Sequence, residues 1–438
     1  MQQVPARTSR LAVVDALRGF ALCGILLINV PHMGWMMDAD EPVRGVRDGG
    51  ASTALWWVQE LLVSGTMRGL FSLLFGASML LFLAKAERGS ATAAEARRLM
   101  LRRLFWLFWF GVLDATLLLW PGDILQIYAM AGLLMLPFAA APPKKLAISA
   151  AIVIASLSAF MLFQQWPKRA IVAEGPALEA RVASGQSLPA AEQKAYKRWH
   201  EWRSGEQATP AEIASERAVR LSGYSANLAY MSKLSWEWLI DWKATIRWVL
   251  DAAAFMLVGM LLFRLRWLQA EASRRTYFAL ILVGYGAGLP LKAIGAVTEW
   301  HLLMGVASPN FSQFWVPAAV MQTGRLLVTL GHLGLFLWCW KKFALKLAPL
   351  QALGRMAFTG YLMQSVLGAV IFSGFGLALW GRLNLVELWG VAAAIWATEI
   401  VFSVVWLSRF SMGPFERVWR KLTYGARPVV RAATAEAA

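Results

Sequence analysis

The stretch VVDALRGFALCGILLINVPH, residues 13–32, has the length and composition of a helix that spans a membrane. A spanning helix needs about 20 predominantly apolar residues. Asp15 and Arg18 lie three residues apart near one end, so they share one helix face. Asn29 and His32 lie at the other end. The stretch therefore predicts a span with a charged pair at one mouth and a polar pair at the opposite mouth.

Similar apolar runs recur along the whole 438-residue chain. Hydrophobic residues make up 58% of it and charged residues only 16%, whereas a soluble domain carries about 25% charged residues. The sequence therefore predicts an all-α fold, a polytopic transmembrane helical bundle. Ten spans are predicted, at residues 11–30, 67–84, 103–120, 122–140, 146–163, 246–263, 276–296, 313–338, 356–375 and 387–407.

Basic residues set the expected orientation of the bundle. The short loops on one side hold most of the Lys and Arg residues, and those on the other side hold only Arg44, Arg47 and Arg382. Because cytoplasmic loops are enriched in Lys and Arg, both termini are predicted to be cytoplasmic. The formal net charge of +17 then follows from topology. It does not indicate nucleic-acid binding, which would need one basic face.

One long polar segment divides the predicted bundle. Residues 1–163 form an N-terminal membrane half and residues 246–407 a C-terminal half, followed by a basic cytoplasmic tail at 408–438. Between the halves, residues 164–245 form an extracytoplasmic insert of polar and amphipathic sequence. Within the insert, Thr209-Pro210-Ala211-Glu212 predicts a helix start closed by a capping box.

The sequence contains no pattern typical of a metal site or a disulfide framework. Its two cysteines, Cys23 and Cys339, both fall inside predicted spans. Nucleophile elbows, phosphate-binding loops and zinc-ligand spacings are absent from the sequence. We therefore expect no metal, and we look for function among the polar side chains within the spans.

His32 and Asn29 are candidate catalytic residues at the outer end of the first span. An imidazole at this position is either an interfacial histidine or a general base oriented by a carboxylate. Acidic side chains follow closely, at Asp38, Asp40 and Glu41. Asn29 is a candidate donor to a developing oxyanion.

Asp114 precedes the reversal LLLWPGD, residues 117–123, and Asp123 is its last residue. Asp123 begins the fourth span, where a carboxylate either caps free backbone N–H groups or positions a reactant. Helix capping gives no reason for Asp114, which is therefore either a neutral or paired buried carboxyl or a catalytic one. Both residues are retained as catalytic candidates.

Other polar residues inside spans are candidates for substrate binding, because such residues are costly in lipid unless they face a cavity or a partner. They are Arg68, Gln126, Gln322, Arg325, Gln364 and Glu399. Arg247 and Asp251 are predicted to form an i,i+4 pair. Near the cytoplasmic side, Asp15, Arg18 and Arg355 are assigned to a donor entrance or to structure.

Five ordered stretches resemble the YeiB-like family of bacterial inner-membrane proteins. They are DALRGFALCGILLINV (15–30), GLFSLLFGASM (69–79), GVLDATLLLWPGDILQIYAMAGLL (111–134), LGRMAFTGYLMQSVLGAVIFSGFGLALWG (353–381) and GPFERVWRKLTYG (413–425). The first-span D-x-L-R-G is similar to that of membrane-bound acyltransferases, including the heparan-α-glucosaminide N-acetyltransferase group. The family pattern commonly has His where this chain has Asp114, so either Asp114 substitutes for it or the chemistry rests elsewhere, for instance on His32.

The resemblance implies an integral acyltransferase of the bacterial inner membrane. It would move an acyl group from cytoplasmic acyl-CoA or acetyl-CoA to a hydroxyl or amine of an extracytoplasmic glycan, lipid or metabolite. The expected partners are membrane lipids, the acyl donor and the acceptor. Whether the chain forms a homo-oligomer is left open. The alternative is a transporter or flippase, for which Gln322, Arg325, Gln364 and Glu399 would line a polar pathway.

Overall fold

The computed structural model describes residues 7–36, 45–88, 92–166, 169–205, 209–303, 312–343 and 347–425. Within these ranges the chain forms helices and no strand, so the all-α prediction is confirmed. Seven helices, or eight if one bent pair is a single span, are long and apolar enough to cross a membrane. The protein is therefore a multi-pass membrane protein. The count of ten spans and the cytoplasmic termini are not confirmed.

The first half of the chain contributes six helices and a π-helical turn, Gln59–Val63, that joins two of them. The helices are α1 (Arg7–Gly34), α2 (Gly50–Val58), α3 (Thr66–Arg88), α4 (Ala93–Thr116), α5 (Leu125–Met135) and α6 (Pro143–Gln165). Two predicted spans, α4 and α5, are not among the seven. Arg102, Arg103 and Asp114 interrupt the apolar run of α4, and α5 is short.

The insert between the membrane halves is helical in its described residues. Its helices are α7 (Arg169–Ala183), α8 (Ala190–Gly205), α9 (Pro210–Arg220) and α10 (Tyr224–Ile240). The predicted capping box is confirmed, because the Thr209 hydroxyl accepts from Glu212 N and the Glu212 carboxylate accepts from Thr209 N. This insert also packs on the bundle, since the Tyr224 hydroxyl donates to the Leu117 carbonyl at 2.8 Å.

The C-terminal half contains a sharply bent helix pair and an amphipathic last helix. Its helices are α11 (Trp242–Arg264), α12 (Arg274–Leu303), α13 (Ser312–Phe343), α14 (Ala348–Arg355), α15 (Ala357–Phe372), α16 (Leu385–Arg409) and α17 (Pro414–Tyr424). Helices α14 and α15 meet at 84°. At this bend the Glu416 carboxylate of α17 accepts from the backbone N–H groups of Phe358 and Thr359, which caps the start of α15. Burial raises the pKa of the Glu416 carboxyl.

Cationic and imidazole groups stabilise the break between the π-helical turn and α3. Lys292 Nζ donates to the Ser64 carbonyl at 2.5 Å, and Arg325 Nη2 donates to the Gly65 carbonyl at 3.2 Å. His332 Nε2 lies 2.7 Å from the Leu62 carbonyl oxygen. Carbonyl groups at a helix C-terminus carry partial negative charge and have no intrahelical partner. These contacts therefore fix the position at which α3 begins, next to Arg68.

Helices α3 and α11 pack with backbone against backbone. A Cβ on Gly76 would lie 2.2 Å from the Met256 carbonyl oxygen, and a Cβ on Gly259 would lie 1.8 Å from the Leu73 carbonyl oxygen. Small residues permit such close approach of helices in membranes. Because the obstructing atoms belong to the backbone, a change of side-chain rotamer cannot relieve either clash.

We expect Gly259→Ala to destabilise the protein by about 1–3 kcal/mol, the usual cost of overpacking. Thermal unfolding of the purified protein in one detergent measures the effect. Gly286→Ala on α12 is the matched control, because a Cβ at Gly286 meets nothing within 4 Å. Equal unfolding temperatures for the two variants would contradict the close α3–α11 packing.

Candidate functional site

A cavity of about 490 Å³ lies between α1, the α4–α5 reversal, α10, α11 and α15. We call it the large cavity. Five side chains selected from the sequence line it, although they come from three separate stretches of chain. They are Asn29, His32, Arg68, Asp123 and Gln126. The volume is in the range of sites for small molecules, about 300–1,000 Å³.

Asp123 combines helix capping with a place in the cavity wall. Its Oδ2 accepts from the backbone N–H of Gln126 at 3.0 Å, so the capping interpretation is correct. Its Oδ1 is buried and has no hydrogen-bond partner within the described part of the chain. The adjacent backbone N–H of Ile124 donates to the Tyr361 hydroxyl at 3.1 Å. Only one oxygen of Asp123 is therefore occupied by capping.

Asp114 lies behind Asp123 and away from the cavity surface. It is 0% exposed, and its carboxyl group adjoins the carboxyl group of Asp123 and the hydroxyl group of Ser365. Neither of its oxygens has a hydrogen-bond partner of normal geometry among the described residues. The two carboxyl groups thus form a buried pair of which one member reaches the cavity.

Gly111 of α4 makes room for this carboxyl pair. A Cβ on Gly111 would lie 2.3 Å from Asp123 Oδ2 and 2.7 Å from the backbone nitrogen of Gln126. The reversal WPGD brings the start of α5 directly against this glycine. Sequence reasoning missed Gly111 and Tyr361 as site residues, although both lie within the stretches quoted for the family resemblance.

His32 and Asn29 lie on the α1 side of the large cavity. No described carboxylate makes a hydrogen bond or ion pair with His32. The acidic residues predicted to orient it, Asp38, Asp40 and Glu41, lie outside the described residues. The general-base role of His32 therefore stays a prediction.

Arginine side chains of α3 and α11, Arg68 and Arg247, also line the large cavity, and the predicted Arg247–Asp251 pair is wrong. Asp251 instead accepts two bonds from Arg325, at 2.8 and 3.1 Å, and one from Arg68 at 3.0 Å. Arg247 lines the cavity and lies over the Trp248 ring at 5.3 Å. The sequence-local pair does not form because Asp251 points between α3 and α13, where the longer-range arginines lie.

A second cavity, of about 210 Å³, lies on the other side of α5, and we call it the small cavity. Arg18, Arg103 and Arg355 line it. Arg18 pairs with Asp15 at 2.8 Å and donates to the Ser78 hydroxyl at 2.7 Å. The structure thus brings Arg18 and Arg355 to one cavity, together with Arg103, and their role at a donor entrance stays a prediction.

Helix α5 separates the two cavities, and Tyr361 of α15 lines both. Leu125 and Tyr128 face the small cavity, whereas Gln126 and Ile127 face the large one. The partition is therefore one helix thick. Its thin point is at Tyr361, where the hydroxyl contacts the backbone next to Asp123.

Comparisons with known proteins find one family and several bacterial relatives. Residues 262–426 match the family described as "Protein of unknown function (DUF418)". The chain is 29% identical to the uncharacterized protein YxaH of Bacillus subtilis (strain 168), over 95% of this chain and 94% of that one. The resemblance to the YeiB-like family is confirmed. The uncharacterized protein YeiB of Escherichia coli (strain K12) is 27% identical over 95% of this chain and 97% of that one.

A third relative, an uncharacterized 39.9 kDa protein in the amylase 3' region of Bacillus acidopullulyticus, is 25% identical over 96% of each chain. No solved structure matches the chain. The YeiB-like likeness thus extends along nearly the whole chain, whereas the DUF418 match covers α12 to α17. That region supplies Arg355 and Tyr361, and the carboxyl pair comes from the N-terminal half.

The four residues predicted to form a polar pathway divide into two buried clusters. Gln322 accepts from Arg325 at 2.7 Å, and Gln364 donates to Glu399 at 3.2 Å. None of the four lines either of the two cavities. Gln322 and Arg325 lie on the same helix, α13, whereas Gln364 and Glu399 join α15 to α16. The structure therefore does not bring the four residues together in one line.

Proposed function

We propose that this protein is an acyltransferase of the bacterial inner membrane, which moves an acyl group from cytoplasmic acyl-CoA to an extracytoplasmic hydroxyl or amine. The observation that carries this proposal is the pair of cavities on opposite sides of α5. A transferase that joins reactants from two sides of a membrane needs two such sites with a thin partition. Tyr361 lines both, next to Asp123.

The predicted topology assigns a side to each cavity. The small cavity lies at the Arg18 end of α1, which the positive-inside rule makes cytoplasmic. The large cavity lies at the Asn29 end. Eleven residues of helix separate Arg18 from Asn29, about 16 Å at 1.5 Å per residue. An extended thioester arm can cover that distance from a cytoplasmic mouth.

The small cavity has the chemistry of a donor entrance. Arg18, Arg103 and Arg355 supply positive charge for the phosphates of a CoA thioester. Phe71 and Phe75 line the same cavity and offer apolar surface to the acyl arm. The Arg103 guanidinium lies 3.4 Å from the Trp419 ring centroid, so α17 holds this arginine in place.

The carboxyl pair supplies a proton acceptor for the transfer step. An acceptor oxygen or nitrogen attacks the thioester carbonyl carbon while Asp123 takes its proton. The carbon–sulfur bond then breaks, the thiolate receives that proton, and free CoA leaves. Asn29 donates to the developing oxyanion. Asp114 positions Asp123, and His32 binds the acceptor from the opposite wall.

Release of free thiol from acetyl-CoA by the purified protein tests the proposal. The protein is reconstituted in nanodiscs and supplied with envelope glycans and lipids as acceptors, and the labelled acyl product is isolated. We expect turnover that Arg103→Gln lowers by raising the KM for acetyl-CoA. Counterflow of a solute in proteoliposomes without acyl-CoA, together with no thiol release, would reject the transferase in favour of a transporter.

His32→Gln separates the two roles open to His32. With Asp123 as the base, we expect this variant to raise the acceptor KM about tenfold while kcat changes little, because uniform binding is lost. Steady-state kinetics at varied acceptor concentration provide the measurement. A fall in kcat of a hundredfold or more would instead make His32 the general base.

A further inference from the structure

We propose that the acceptor bound in the large cavity carries an anionic group, a phosphate or a carboxylate, held against Arg68 and Arg247. Its hydroxyl or amine then points to Asp123. This inference rests on the proposed function, in which the large cavity binds the acceptor. The proposed function leaves the chemistry of the acceptor open. This inference restricts the acceptor to a molecule with an anionic group at one end.

The wall around Arg68 has more positive than negative charge. Arg68 donates one hydrogen bond to the Asp251 carboxylate, and Arg325 donates two to the same group. One negative charge therefore serves two guanidinium groups. The Nε atom of Arg68 is buried and has no hydrogen-bond partner among the described residues. Lys292 lies behind this wall, where it donates to the Ser64 carbonyl and has the Glu60 carboxyl group beside it.

Arg247 adds a second cation to the cavity surface. No carboxylate in the described ranges makes an ion pair with it, and its contact is with the Trp248 ring. Asp241, which also lines the cavity, uses its Oδ1 to accept from Lys243 N and Ala244 N at the start of α11. The Trp248 ring contacts both arginines, because the Arg68 guanidinium also lies 4.0 Å from the ring centroid. The two cations thus flank one indole ring.

The cavity also has a carboxyl group in its lining, at the α4–α5 reversal. This carboxyl group belongs to Asp123, and Asp114 lies behind it. A cavity lined by both guanidinium groups and a carboxyl group orients a ligand that has an anion at one end and a proton donor at the other. A neutral ligand would cover the arginines without compensating their charge, which is costly in a low-dielectric site.

Binding of matched small probes tests the inference without any transfer reaction. The protein in phosphatidylcholine nanodiscs is dialysed against radiolabelled glycerol 1-phosphate and glucuronate, with glycerol and glucose as their neutral counterparts. We expect each anionic probe to bind at least about tenfold more tightly than its neutral counterpart, a difference of about 1.4 kcal/mol. Equal affinities within each pair, or no binding of either anion, would overturn the inference.

Arg247→Gln tests whether the part of the cavity wall that contains Arg247 binds the anionic group. Lys243→Gln is its matched control. Lys243 is on the same helix and is exposed, but it does not line the cavity. We expect Arg247→Gln to weaken the anionic probes about tenfold and to leave the neutral probes unchanged, with Lys243→Gln like the native protein. Equal losses in both variants would assign the effect to general surface charge and reject the site.

The lipid composition of the nanodisc distinguishes two sources of the anionic group, a lipid headgroup and a soluble or glycan-borne molecule. If phosphatidylglycerol in the nanodisc displaces glycerol 1-phosphate, the acceptor is a lipid headgroup. If it does not, the acceptor is a soluble or glycan-borne anion. Anion binding without thiol release from acetyl-CoA would reject the transferase while leaving the anion site in place, so the two proposals fail separately.

Discussion

Asp251→Ala is expected to lower the free energy of unfolding by about 3–5 kcal/mol, the usual cost of removing one partner from a buried ion pair. Asp251 is 3% exposed and binds both Arg68 and Arg325. Its removal leaves two guanidinium groups close together without a counter-charge. Their mutual repulsion adds to the loss, and α3, α11 and α13 no longer share a common anchor.

The unfolding temperature in detergent and the amount of protein in the membrane both report this effect. Asp48→Ala is the control, because Asp48 is exposed and its removal leaves no buried charge. Adding Arg325→Met to Asp251→Ala removes one of the two stranded charges and is expected to recover part of the loss. An Asp251→Ala protein as stable as the Asp48→Ala protein would contradict the network.

Asp123→Asn is expected to lower kcat for acyl transfer by about 10²–10⁴, the range for losing a general base. The fold should remain intact, because the Asn side-chain oxygen can still accept from the Gln126 N–H and cap α5. Binding of acetyl-CoA should also be unchanged, because the proposed donor site lies on the other side of α5. The variant thus separates proton transfer from capping.

Thiol release and unfolding temperature are measured on the same preparation of the variant. Asp123→Ala removes the cap as well, so it should lose a further ~1 kcal/mol of stability with no more loss of kcat. Normal turnover by Asp123→Asn would exclude Asp123 as the base. A parallel fall in stability and turnover would mean that capping is its whole contribution.

Several features of the fold and site follow from local sequence and were predicted correctly. The apolar runs predict helices along the chain, because length and composition suffice to favour a span. The Thr209 capping box depends only on residues three positions apart. Capping by Asp123 is local in the same way. The sequence also selects Asn29, His32 and Asp123, which one cavity brings together.

Pairing across helices was not predictable from spacing. Asp251 has Arg247 at i−4 but binds Arg68 and Arg325, which are far away in the chain. Gln322 and Glu399 both lie within predicted spans, which favours one polar pathway, but the structure puts them in separate clusters. Depth fixes a position along the membrane normal, but it does not fix the face of the helix or the neighbouring helix.

From its residues alone, the chain is predicted to be a helical, multi-pass membrane protein of YeiB-like character, with polar groups at both ends of α1. Those properties depend on hydropathy and on contacts within a few residues. The position of α5 as a partition between two cavities, both lined by Tyr361, emerges only from the packing of the helices. The physical reason is that cavities are formed by the rotation and packing of separate helices, which arise from many distant contacts such as those of Gly259 and Asp251.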